Sequence, residues 1–284
     1  MVASAPGVWL TPSTTGLVAW CPAARARPTV AAMTRTATPT GSVRTLVARH
    51  PVPSMIVIML AVAFALLSPP TLAGWAPEPF LLATVVFAQL VPAVLVTAAA
   101  DGRAGVRDLV RRIFRWRVHP AWYAVAFLAL PAAVLGVAVA FGVEPTPPML
   151  AAYLAQLAIL PLVNLWEETA VMGVIQARLT ASRGPVVAAV VTGLVFGFYH
   201  LPLQLGLPVG DIAVSMAVIL VLAVLLRFVA GWLYAGTGGS ILLVAGLHAT
   251  FNAVNGSGLP LAAVATVVAV WALGLFAARR VRST

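Results

Sequence analysis

The strongest constraint on this chain is the recurrence of apolar stretches matching the bilayer, where a helix needs about 20 residues to cross about 30 Å of hydrocarbon. Eight such stretches lie at roughly 52–74, 79–100, 120–143, 149–177, 185–203, 211–235, 239–256 and 259–278. The charge content excludes the alternative of a soluble fold. Only 8% of the residues are charged and 62% are hydrophobic, against about 25% and about 45–50% in chains that must cover a water-facing surface. The expected fold is therefore all-α, a polytopic membrane protein built as a bundle of about eight transmembrane helices. The first stretch is the least regular. Its unbroken run Met55 to Leu67 is short and ends at Ser68, Pro69 and Pro70, which leaves a crossing and a re-entrant piece both open.

The basic residues test the count, because cytoplasmic loops near spans are enriched in Lys and Arg. All 17 are arginine. With eight spans and a cytoplasmic N-terminus, 16 of them fall inside: Arg25, Arg27, Arg35, Arg44 and Arg49, six between Arg103 and Arg117, then Arg178, Arg183, Arg279, Arg280 and Arg282. The outside loops carry Glu78, Glu144 and Asp211 and no arginine. A miscounted span would scatter arginines to both sides. The net charge of +10 thus reads as membrane topology and not as nucleic-acid binding, and a cell-membrane protein with both termini cytoplasmic is expected. Only Arg227, inside the sixth span, breaks the pattern.

Three blocks follow. Residues 1–50 are rich in Pro, Ser, Thr and Arg and contain no acid; they bury too little apolar surface to offset their ordering entropy and are expected to be disordered, with Met33 as an alternative start. Residues 51–148 hold the N-terminal spans and a basic loop, 101–119. In that loop Val106, Leu109, Val110 and Ile113 recur at helical spacing beside Arg107, Arg111, Arg112 and Arg115, the pattern of an amphipathic helix lying along cytoplasmic headgroups. Residues 149–280 form the third block. The single Cys21 permits no internal disulfide.

Ionisable side chains inside spans cost about 2.5–3.5 kcal/mol each and are functional candidates by default. Five occur: Glu167, Glu168, His200, Arg227 and His248. Counted at about 1.5 Å per residue from the inner helix ends, Glu167, His200 and His248 lie at overlapping depths near the midplane. Three helices thus bring two carboxylates and two imidazoles to one level. Asn252 shares a face with His248, and Phe196 with His200, whereas Glu167 and Glu168 diverge by about 100° around their helix. Only one of the two glutamates can point straight at the imidazoles. Gly193 and Gly197 form a small-xxx-small pair suited to close helix packing.

Glu167-Glu168-Thr-Ala-Val-Met172, Phe196-Gly-Phe-Tyr-His200 and His248-Ala-Thr-Phe-Asn252 resemble the three motifs, EExxxR, FxxxH and HxxxN/D, of the CAAX-protease and bacteriocin-processing (CPBP) family of intramembrane proteases. The resemblance covers about residues 150–256. It implies hydrolysis of a peptide bond in a membrane-embedded or membrane-delivered substrate. On the family's pattern Glu167 and His200 polarise the attacking water, while His248 and Asn252 stabilise the oxyanion. Members are widely called metalloproteases, and Glu167, His200 and His248 are the set that would hold zinc; activation of water without a metal fits the same residues. The family's arginine is Met172 here. Glu168 then lacks a charge partner on its own helix, and Arg227 is the candidate replacement, the alternative being that Arg227 snorkels to the headgroups.

Two other classes share these features. A non-proteolytic scaffold or immunity protein of the same fold would keep the helices without the chemistry. A proton-coupled transporter would use midplane Glu and His as a relay, although the sequence shows no internal repeat.

Overall fold

The computed structural model describes residues 42–281, and among these every regular element is helical. Helix α1 is Val43–Arg49, α2 Pro51–Leu72, α3 Pro79–Ile113, α4 Ala121–Ala140 and α5 Pro147–Arg183. Helix α6 is Pro185–Phe198, followed by a 3₁₀ turn at Leu201–Gln204; α7 is Val209–Gly236, α8 Ile241–Asn255 and α9 Leu261–Val281. Apolar side chains such as Val57, Leu95, Leu128, Leu162, Val214 and Val270 stand exposed on the outside. In a bilayer that surface is solvated by lipid, and the protein is a polytopic all-α membrane protein.

Among the described residues six helices are long and apolar enough to span: α2 to α5, α6 taken together with its 3₁₀ turn (Pro185–Gln204), and α7. The expected count of about eight needs refinement at its end, where α8 and the Leu261–Leu275 part of α9 are shorter apolar helices. Helix α8 has 15 residues, about 22 Å of rise. Nearly all of it is buried, so its length is matched to neighbouring helices rather than to lipid. The first stretch resolves as a continuous helix of 22 residues, with Met55, Met59, Ala63 and Leu67 buried on one face and Pro69 and Pro70 confined to its last turn.

The expectation of disorder to about residue 50 reaches too far. Val43–Arg49 forms a helix because Ser42 caps it, its hydroxyl accepting from the Thr45 N–H at 3.3 Å, and because Val47 packs against the core around Met55 and Met59. Residues 1–41 lie outside the described residues.

The basic loop is helical as expected, but its docking differs. Gly102, at φ +65°, breaks α3 into the apolar part that precedes it and the basic part that follows it. Leu109 and Ile113 of the latter pack on Ile241, with Leu165 and Tyr234 alongside, while Val110 stays exposed. Arg112 donates to the Gly173 carbonyl at 3.2 Å and to the Tyr234 hydroxyl at 2.8 Å. The loop is thereby held to the end of the bundle, and Asp101 at its start pairs with Arg178 of α5.

Three helices contain a π turn. Those at Val85–Leu90 and Val125–Ala129 run into Pro92 and Pro131, whose missing N–H and clash with the carbonyl four residues back force the turn to widen. The third, Val171–Gln176, has no proline and begins just after the Glu167-Glu168 pair. Such turns recur at functional sites.

Glycine sets the remaining geometry. A Cβ on Gly193 would come within 2.5 Å of the Val224 Cα, and one on Gly197 within 3.1 Å of the Leu220 Cα. The small-xxx-small pair therefore lets α6 lie backbone-close on α7, which carries Arg227 up to Phe196. Helix α8 packs along α5 and brings His248 opposite Glu168.

Candidate active site

Glu168 and Arg227 organise the site. Arg227 Nη1 donates to Glu168 Oε2 at 2.8 Å and Nη2 to Oε1 at 2.6 Å, with both side chains 0% exposed. The snorkelling alternative is thus set aside: the guanidinium lies in the protein interior. The fork geometry matches both carboxylate oxygens, and Phe196 adds its ring face at 5.4 Å from the Arg227 Cζ. Gln176 fixes the backbone here, its Nε2 donating to the Arg227 carbonyl at 2.9 Å.

His248 completes the cluster through the same carboxylate. Its Nδ1 lies 2.8 Å from Glu168 Oε1 and 3.9 Å from Glu167 Oε2. Of the two glutamates, it is Glu168 that meets the His248 imidazole directly, whereas the expected pairing of Glu168 with Arg227 would have aimed Glu167 there. Glu167 instead accepts from Asn164 Nδ2 at 2.7 Å and keeps 12% side-chain exposure. Asn252 Nδ2 in turn points at Asn164 Oδ1, at 3.4 Å. A polar chain thus runs Asn252, Asn164, Glu167 beside a second chain, Arg227, Glu168, His248.

His200 sits just beyond the end of α6, where its Nδ1 bonds the Phe196 carbonyl at 2.8 Å. A carbonyl only accepts, so Nδ1 carries the hydrogen, and in the neutral ring Nε2 presents a lone pair. Phe196 links the two imidazoles. Its ring meets His200 edge-on at 4.9 Å and His248 edge-on at 5.4 Å.

The residues named for zinc do not gather as a ligand set in this arrangement. Among the described residues no three His, Cys, Asp or Glu side chains are gathered so as to hold a metal ion. The expected set Glu167, His200 and His248 shares a neighbourhood without converging as ligands, so no step below passes through a metal.

The three motifs, carried by α5, the end of α6 and α8, are thus brought to one cluster, and this part of the chain is also where a known family matches. Residues 147–254 match the family described as type II CAAX prenyl endopeptidase Rce1-like. The segment is similar to that domain. It runs from the start of α5 to the end of α8 and includes Glu167, Glu168, His200, Arg227, His248 and Asn252. Helices α1 to α4 lie before it. No curated protein matches the chain. The match supports an intramembrane protease of the CAAX type in general terms.

One polar member of this segment escaped the sequence reading. Asn164 is 1% exposed and bonds both Glu167 and Asn252. Its signal was present, an amide at i−3 from Glu167 and i−4 from Glu168 inside a span, but a scan for ionisable residues passes over amides. Met172, in the place of the family's arginine, packs among Val229, Leu233, Leu243 and Val244.

Proposed function

We propose that the protein is an intramembrane endopeptidase in which Glu167 acts as general base on a water held against His200. The water's proton passes to the Glu167 carboxylate and later to the amine leaving group. His200 Nε2, a lone pair by the tautomer argument, accepts the water's second O–H and aims its oxygen at the scissile carbonyl. Asn252 and His248 face the oxyanion that forms. Glu168 and Arg227 do no proton transfer; they set the rotation of α5 and the tautomer of His248.

The observation that carries this reading is the position of His248 Nδ1, 2.8 Å from Glu168 and 3.9 Å from Glu167, which joins the first and third motifs in one cluster beside Phe196 and His200. A scaffold has no need of four buried polar groups at this level, each costly to bury unless paired. The substrate class follows the family: a peptide delivered by the membrane, with a prenylated C-terminal peptide as the first probe. The arginine distribution supports cytoplasmic termini.

The test uses full-length protein in proteoliposomes, a farnesylated CaaX peptide and, separately, an unprenylated membrane-spanning peptide. Cleavage of either, undiminished by a strong zinc chelator, is expected. Loss of all cleavage on chelation contradicts the metal-independent mechanism, and no cleavage of either peptide contradicts the peptidase.

A further inference from the structure

The basic part of α3 carries more positive charge than the protein neutralises. The acids of this segment are already engaged: Asp101 pairs with Arg178, and Asp108 pairs with Arg111 at 2.5 Å and with Arg112 at 2.8 Å. Among the described residues the side chains of Arg44, Arg49, Arg103 and Arg107 make no ion pair or hydrogen bond, and all four are exposed.

Their placement is ordered. After the break at Gly102, Arg103, Arg107 and Val110 recur at i, i+4 and i+7, within about 60° of the helix circumference, and Phe114 follows at the helix end. Val110 is 44% exposed and Phe114 65%, so an apolar strip runs on from two unpaired guanidinium groups. Leu109 and Ile113 are engaged by Ile241; the strip is therefore a second face of the helix, separate from the one docked on the bundle. Helix α1 packs along α3 and repeats the combination, with Leu46, 61% exposed, one turn before Arg49. Beyond Phe114, the Arg117 Cζ lies 5.1 Å from the centroid of the exposed Trp116 ring.

Arginine beside exposed aliphatic and aromatic side chains, at one end of membrane-crossing helices, suits the boundary between headgroups and acyl chains. There the apolar groups sink toward hydrocarbon and the guanidinium forks onto phosphate. Charge selects the lipid. A zwitterionic headgroup brings its own cation beside the phosphate, whereas an anionic phosphodiester supplies the counter-charge that Asp101 and Asp108 leave unmet.

We propose that Arg103, Arg107, Val110 and Phe114 of α3, with Leu46 and Arg49 of α1, form a binding surface for anionic phospholipid, the phosphodiester on the guanidinium groups and the upper acyl chain against Val110 and Phe114. This surface is independent of the peptidase reading, since no residue in it belongs to the Glu167 cluster. Lipid on this face and the Arg112 bonds to Gly173 and Tyr234 on the other together hold the segment on the bundle.

The experiment places full-length protein in phosphatidylcholine vesicles carrying a trace of photoactivatable phosphatidylglycerol or, separately, photoactivatable phosphatidylcholine, and maps the labelled peptides by mass. The phosphatidylglycerol probe is expected to label residues 103–117 about tenfold more than the phosphatidylcholine probe, and the excess should shrink as salt rises. The double variant Arg103→Gln/Arg107→Gln should bring phosphatidylglycerol labelling down toward the phosphatidylcholine level, with the unfolding midpoint in detergent unchanged. Equal labelling by the two probes overturns the proposal, as does labelling unaltered in the double variant. So does an equal loss in Arg183→Gln, an exposed arginine of α5, which would assign the preference to the overall positive field. Loss of the preference on adding inorganic phosphate at constant ionic strength would assign the arginines to a soluble anion and likewise overturn it.

Discussion

Arg227 and Glu168, 59 positions apart, form a two-pronged ion pair at 2.8 and 2.6 Å with neither side chain exposed. The pair relocates a charge. Where the family motif carries an arginine on the same helix as its glutamates, this chain carries Met172 and supplies the cation from α7.

Breaking that pair should be costly from either side. Arg227→Met strands a buried carboxylate and Glu168→Gln strands a guanidinium, each at about 3–5 kcal/mol. Joined, they should cost far less than the sum, since neither charge is then left unpaired. Thermal unfolding of the four proteins in detergent checks this, additivity being the contrary result. Arg227→Lys should rescue poorly, because an ammonium cannot fork onto both oxygens.

The amide relay makes a different prediction. Asn164→Leu removes the donor that aims Glu167 and the acceptor that Asn252 faces, so kcat should fall by about 10²-fold through misplacement while the fold survives. Steady-state kinetics beside an unfolding curve separates the two; a variant with normal kcat would show that Glu167 needs no such aim.

Close approach of α6 and α7 depends on glycine. Gly193→Val must displace Val224 backbone, whose Cα would lie 2.5 Å from the new Cβ, and overpacking of this kind costs about 1–3 kcal/mol. Because the same interface presents Arg227 to Phe196, activity should fall with stability. Gly136, where a Cβ meets nothing within 4 Å, is the control expected to tolerate alanine with a far smaller effect.

Topology is testable apart from chemistry. Reporter fusions after Arg117 and at the C-terminus should both score cytoplasmic, since the arginines of the 101–119 loop and of the last segment belong on the inside. An external signal at either position breaks the eight-crossing arrangement, which also requires the short helix α8 to cross with its neighbours.

Much of this was legible in the sequence, for reasons that differ by residue. Glu167, Glu168, His200 and His248 stand out because charge inside a span is rare, and arginine counting isolates Arg227 as the one cation out of place. Three things were hidden. Which of two adjacent glutamates meets His248 depends on helix rotation, set here by Arg227 and by the π turn after Ala170, neither of which periodicity reveals. Asn164 is neutral and escapes a search keyed to charge. The docking of Leu109 and Ile113 on Ile241 was likewise invisible, because an amphipathic face does not announce whether it meets lipid or protein.

The central claim, that Glu167 is the base, is tested most directly by Glu167→Gln. The substitution keeps shape and the capacity to accept from Asn164 while removing the basic oxygen pair. In proteoliposomes with the farnesylated CaaX peptide, cleavage should fall by at least about 10²-fold with the unfolding midpoint near that of wild type. Cleavage at the wild-type rate by a folded Glu167→Gln protein would contradict the mechanism.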